Sequence, residues 1–288
     1  MAGNTPNLGL YFKDPLTDGQ DTFNVTTMLN ENWEKIDRHA KAMLIRSHIA
    51  KIASYETAGA YEWEAPDLCD GQPYKIGVLV IGAGGGGAVT SYSSSSIRQA
   101  LGGASGYSET LVFVVHPGEV KLLVVGKGGA GITSGTANSG ESSAFGGVAA
   151  SGGAAGKSGK DNDYVQGGAP ATASGSVYGL KKMVSYEEYG APVQRINIFE
   201  CKQMLGGGGT AYSSSSGTET TKPAGKNPIT GRGGGNAAVN IEGDAIAEDA
   251  TDVGCGGGGA LSKSGAVCKS GAGADGAVYI YFLGVAEE

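Results

Sequence analysis

Large aromatic side chains and charge are both scarce in this chain. Aromatics make up 7% and charged residues 17% of its 288 residues. That is too little for a conventional helix-and-sheet core of this length. Long apolar runs are missing too. Stretches such as Ile76–Ile81 and Leu111–Val115 are far too short to span a bilayer, so membrane insertion is not expected. There is no basic excess: the net charge is −7. A phosphate backbone would repel such a surface, which argues against nucleic acid as a partner. The opening MAGNTPNLGLYFKD has no basic n-region or apolar h-region, so no signal peptide is expected. Cysteines are few: Cys69, Cys201, Cys255 and Cys268. None forms a CxxC pair and no His lies close enough to complete a zinc set. They read as buried free thiols of a protein made in the cytoplasm, with a Cys255–Cys268 bridge as the alternative.

What the chain has is glycine, 53 residues of it. In an ordinary element glycine costs roughly 0.5–1 kcal/mol relative to alanine. Fifty would forfeit a few tens of kcal/mol, several times a typical net stability of about 5–15 kcal/mol. The fold must therefore be one that only glycine permits.

The first 25 or so residues are rich in turn formers and read as an extended arm. Residues 26–52 hold neither Gly nor Pro and read as a helix. Within it Leu29, Trp33, Ile36, Ala40 and Met43 form a heptad seam. The seam points either to a short bundle of identical chains or to an amphipathic helix lying on its own domain. The body follows. Ile76–Ile81, Leu111–Val115, Val120–Val125, Val193–Phe199 and Ala277–Leu283 read as strands. Pro117-Gly118 predicts a hairpin between the second and third of them.

Between the strands the glycines fall in steps of three. Gly147, Gly153, Gly156 and Gly159 share one phase. Gly82/Gly85, Gly84/Gly87, Gly126/Gly129, Gly128/Gly131, Gly231/Gly234 and Gly256/Gly259 repeat the step. Three is the period of the extended left-handed helix, which makes no internal hydrogen bonds and must bond to neighbours. The expected fold is mostly β and irregular. An N-terminal arm and α-helix forming a short trimeric coiled coil (1–55) precede a glycine-rich body (56–288) of short β-strands and polyglycine II-like helices.

The catalytic motifs are weak. Gly82, Gly84 and Gly87 fit the dinucleotide fingerprint GxGxxG, as do Gly126, Gly128 and Gly131. At this glycine content such matches arise by chance, and AVTSYSSSS after the first is poor in helix formers. GAAGKS at Gly153–Ser158 lacks the first P-loop glycine. His39, His48 and His116 assemble into no nucleophile–His–acid set. No catalytic residue, cofactor or metal is expected. The acidic run Glu242, Asp244, Glu248, Asp249 and Asp252, and the smaller Asp161-Asn162-Asp163, lack calcium-loop spacing. They read as solvated loops, with a cation site at a subunit contact as the alternative. Tyr92 and Tyr212 sit in near-identical contexts, TSYSSSS and TAYSSSS, after four-glycine runs. Tyr107, Tyr164 and Tyr178 also lie among Gly and Ser. These five either project from loop tips as binding residues or plug gaps in a core short of large side chains.

Two stretches carry a resemblance. NLGLYFKDPLTDGQDTFNVTTMLNENWEKID (Asn7–Asp37) resembles the N-terminal segment of tail proteins in prophages of Gram-positive, clostridia-like hosts. VLVIGAGGGG, VVHPGEVKLLVVGKGGAG, SSAFGGVAASGGAAG, GCGGGG and GADGAVYIYF resemble the glycine-rich domain of phage tail fibres and adhesins. The resemblance implies a virion tail-tip or baseplate location and a homotrimer. It implies contact with other tail proteins through the arm, and recognition of a cell-surface receptor, glycan or protein. This chain departs from it by carrying Ala and Ser where relatives have longer glycine runs, and by the long glycine-poor insertion Val177–Leu205.

Overall fold

The computed structural model describes residues 3–4, 11–12, 30–36, 50–94, 96–160, 183–185, 193–198, 201–226 and 232–286. In the arm β1 (Gly3–Asn4) pairs with β2 (Tyr11–Phe12), and residues 31–36 are helical. From there the chain shuttles between two ends. At one end, the base, it forms β3 (Ala50–Tyr55), β4 (Gly59–Glu64) and β5 (Tyr74–Ile81). At the other, the cap, it forms β6 (Val89–Ser91) and β7 (Arg98–Ala100). It returns to the base for β8 (Ser108–Val115), β9 (Val120–Val125), β10 (Ser143–Phe145) and β11 (Val148–Ala150), then to the cap for β12 (Ser158–Lys160). β13 (Met183–Ser185), β14 (Val193–Ile198) and β15 (Cys201–Gly206) make a sheet of their own. β16 (Thr210–Ser213), β17 (Glu219–Lys222), β18 (Ala238–Asn240), β19 (Ala245–Ile246), β20 (Ala260–Ser262) and β21 (Cys268–Lys269) complete the cap. β22 (Ala277–Val285) closes the base.

The base is a sandwich of two sheets, β3-β22-β5-β8 and β11-β10-β9-β4. Trp63, Tyr74, Ile76, Val78, Leu123, Phe145, Ile280 and Phe282 fill the space between them. Leu79, Ile81, Tyr279 and Tyr281 pack with Leu205 on the other face of the first sheet. β5 is thus covered on both faces, which explains its unbroken apolar run.

Two expectations are corrected here. β8 and β9 are not a hairpin. β8 pairs with β5 and β9 with β4 and β10, so the turn His116–Glu119 arches from one sheet to the other. Glu119 N donates to His116 O at 3.0 Å and Gly118 takes φ +78°. Arching lets Val115 and Leu123 bury against each other's sheets, which pairing side by side would not do. Residues 50–52, read as the end of the helix, are strand: β3 pairs with β22, and Ile52 packs on the base core. Burying Ile52 and Ala53 outweighs the helical propensity of AKIA.

Between base and cap lies a bundle of extended segments. Along 82–88 the amides of Gly82, Gly85 and Ala88 donate to carbonyls of Tyr107, Ala104 and Leu101. Those of Ala83 and Gly86 donate to Glu141 and Asn138, those of Gly84 and Gly87 to Ala274 and Gly271. Every third residue addresses the same neighbour, which requires three residues per turn. The carbonyls repeat this towards three other segments. Ala83 and Gly86 accept from Gly153 and Gly156, Gly85 and Ala88 from Gly257 and Ala260, and Gly84 from Gly129. Segment 254–260 is surrounded in the same way by 82–88, 101–107, 206–209, 233–238, 247–252 and 270–276. These two central helices share 101–107 and 270–276, as adjacent points of a hexagonal lattice share two neighbours. Both are buried along their whole length.

The three-residue glycine steps are the contacts of this lattice. A Cβ at Gly84 or Gly87 would overlap the carbonyls of Cys255 and Gly258. Gly126 and Gly129 face 138–141, while Gly128 and Gly131 face 270–276. Gly147 departs from its predicted phase: it sits at φ +88° in the turn between β10 and β11. Gly159 lies in β12, and Gly231 is outside the described residues.

Side chains close the lattice edges. Asp275 accepts from Gly128 N at 2.9 Å and Ala58 N at 3.0 Å. Ser143, Ser139 and Thr251 hydroxyls accept from Gly126, Ala155 and Gly233 amides. At about 3.1 Å rise per residue, segment 82–88 sets base and cap roughly 20 Å apart.

Candidate functional site

The cap holds two of the five candidate tyrosines. Its main sheets, β12-β7-β16-β17 and β18-β20-β6, meet over Ala100, Ala211 and Leu261. Tyr92 follows β6, donates its amide to Ser262 O at 2.7 Å, and packs half-buried on that cluster. Its hydroxyl reaches Gly217 in the β16–β17 turn. Tyr212 stands in β16 opposite Gln99 and Thr220. Alternation turns it away from the face that buries Ala211. The twin motifs therefore meet in the cap but present their rings on opposite faces of one sheet. Tyr107 lies at the base end, 38% exposed, where 101–107 enters β8. Tyr164 and Tyr178 lie outside the described residues.

The serines after Tyr212 order their turn. Ser214 Oγ accepts from Thr218 N at 2.9 Å and pairs with Ser216 Oγ at 2.8 Å. Asn240 does the same beyond β18, accepting from Glu242 N and Gly243 N.

The acidic run serves the lattice edge. Asp244 accepts from Val267 N at 2.8 Å and Asp249 from Ala272 N at 2.7 Å. Asp252 accepts from Val253 N, and Glu248 pairs with Lys226 at 3.0 Å. That hydrogen bond holds the Glu248 carboxyl below the usual carboxylate range. Among the described residues no group of three or more His, Cys, Asp or Glu side chains could hold a metal ion. Asp161, Asn162, Asp163, His39 and His48 are outside the described residues; His116 sits in the base arch, its amide on Glu119 Oε2 at 3.1 Å. The fingerprint amides of Gly82, Gly84 and Gly87 are all bonded to neighbouring carbonyls. Of the seam residues, Trp33 is 61% and Ile36 36% exposed; Leu29 and Met43 fall outside the described residues. A second apolar row, Val120, Leu122 and Val124, is exposed on the outer face of the base, with Leu122 at 67%.

Among the described residues Cys69, Cys255 and Cys268 form no disulfide, so no Cys255–Cys268 bridge forms. Cys255 sits in a central helix, where its Sγ accepts from Gly206 N at 3.3 Å. Burial pushes its thiol from 9.0 up to about 12. Burial, then the charges of Cys69, Asp67 and Glu119, pushes the Tyr74 hydroxyl from 10.0 to about 12. Both pKa values are raised by folding. Their stabilising contribution is complete below pH 9 and is lost as pH rises from about 9 towards 12, because the unfolded chain ionises first. The melting temperature is expected to hold steady up to about pH 9 and fall above it. An unchanged value at pH 11 would contradict this. In native protein iodoacetamide is expected to label Cys69 and Cys268 well before Cys255, as peptide mass spectrometry would show.

No curated protein matches the chain. Residues 56–283, the span of the base, the glycine lattice and the cap, match the family described as the glycine-rich domain, and the chain belongs to that family.

Proposed function

We propose that the chain is a tail-tip protein of a phage or phage-tail-like particle, a homotrimeric adhesin that binds a receptor on a bacterial cell. The receptor is a glycan or protein of the cell surface, held by many weak, non-covalent contacts multiplied over subunits. The N-terminal region that precedes β3 attaches it to the tail or baseplate and holds the chains together.

The observation that carries this reading is the polarity of the body. β3, which follows the N-terminal region, belongs to the base, while the serine-, asparagine- and tyrosine-bearing turns of the cap stand across the lattice from it. A rigid spacer of that kind suits a module that is fixed at one end and touches a surface with the other. Incubating the purified protein with clostridia-like cells and with their isolated wall glycans should retain it on the cells. Complete failure to bind either would defeat the adhesin reading. Joint Tyr92→Ala and Tyr212→Ala substitution should weaken retention, and light scattering that gives a 28.8 kDa monomer would defeat the trimer.

A structural tail component is the second reading. The exposed row Val120, Leu122 and Val124 favours it, since a flat apolar face suits packing against another tail protein. Under that reading the protein co-purifies with particles and ignores cells.

A further inference from the structure

Three buried polar groups of the cap, on Arg98, Thr210 and Ser213, make no hydrogen bond among the described residues, and two of them lie side by side. Arg98 and Ser213 are register partners on β7 and β16. Their Nε and Oγ atoms are both buried and make no hydrogen bond. Cross-strand partners lie on the same face of a sheet, with Cβ atoms about 4.5–5.5 Å apart. Alternation identifies that face. Ala100 and Ala211, two residues away on each strand, pack on Leu261 of the facing sheet. Arg98 and Ser213 therefore lie on the face that packs against the other cap sheet, at the outer end of the seam between the two. Tyr92 stands on its far side, with its hydroxyl against the β16–β17 turn. Ser213 is fully buried, and Arg98 is partly buried. The nearest carboxylate on the row is Glu219, register partner of Ser213, and it is committed to Ile241 N at 2.6 Å.

Buried donors are nearly always paired in folded proteins, and an unpaired one marks a cost that a ligand can remove. We propose that this seam is a binding site for an oxyanion group, a phosphate, sulfate or carboxylate, held by the Arg98 guanidinium and the Ser213 hydroxyl. A planar guanidinium with its Nε free presents the fork geometry that such groups accept in two parallel hydrogen bonds. This site is independent of whether the protein is an adhesin.

The test is calorimetric titration of the full chain with inorganic phosphate, sulfate and acetate, each against chloride at equal ionic strength. At least one should bind saturably with a dissociation constant on the order of 1 mM or tighter. Which one binds separates tetrahedral from carboxylate ligands. Arg98→Gln and Ser213→Ala should each weaken binding, the first by about tenfold or more. Arg232→Gln, at an exposed arginine bonded to Thr251 O elsewhere on the lattice edge, should leave it unchanged. Absence of saturable binding by all three anions would overturn the proposal. So would a folded Arg98→Gln protein that binds as the parent does. If Arg98→Gln fails to fold, Ser213→Ala decides by the same criterion.

Discussion

Gly257→Ala is expected to abolish the folded body. Gly257 lies midway along a central helix, donating to Gly85 O at 3.0 Å and accepting from Gly103 N at 2.9 Å. A Cβ there would overlap the carbonyl of Gly271. Overpacking a core of side chains costs about 1–3 kcal/mol because rotamers can adjust. Here the obstacle is backbone, and moving it strains segments bonded to all sides. Each buried amide or carbonyl left unpaired adds roughly 1–3 kcal/mol, so a few of them consume a net stability of about 5–15 kcal/mol. Gly118→Ala is the comparison. Nothing lies near its Cβ, and only its left-handed φ of +78° resists the change, at about 1–2 kcal/mol. Circular dichroism melts should show Gly118→Ala folded and Gly257→Ala unfolded or insoluble. A Gly257→Ala protein that melts within a few degrees of the parent would refute the close-packed lattice.

Phe145→Ala should destabilise the base by about 3–5 kcal/mol. The ring is fully buried, 6.0 Å from Trp63 and 5.4 Å from Phe113. Its neighbours cannot close the gap easily, because the strands that hold them are tied on both sides: β10 to β9 and β11, β9 also to β4. The chain has only six Phe and two Trp to build with, so few large groups can move in. Phe145→Leu keeps most of the volume and should cost clearly less. Urea titration separates the two, and equal midpoints for Phe145→Ala and the parent would count against the sandwich core.

These two sites differ in how visible they are in the sequence. The glycine steps are legible, because a period of three survives in one dimension. Which helix each step faces is not, since Gly84 meets Cys255 and Gly128 meets Gly273 only through the folded lattice. β5 and β22 are legible because burial on both faces makes them unbroken apolar runs. The cap strands are not. VTS, RQA and ETTK are too short and polar to show alternation. Pro117-Gly118 announces a reversal but cannot say whether the chain comes back beside itself or crosses to another sheet. The repeated tyrosine motif suggests equivalent positions, yet strand phase sends Tyr92 inward and Tyr212 outward. The acidic run conceals its role because its partners are amides such as Val267 and Ala272, 23 residues away. Arg98 and Ser213 are 115 positions apart and carry no shared motif.

The hydrogen bonds of the lattice run across its long axis, while the covalent chain runs along it. A pull on the cap relative to the base would therefore load many of these bonds together in shear. They could not be opened one after another, as the bonds of a hairpin peeled from its end can. Glycine, usually the softest element of a protein, here makes the stretch between the two ends its stiffest part under tension.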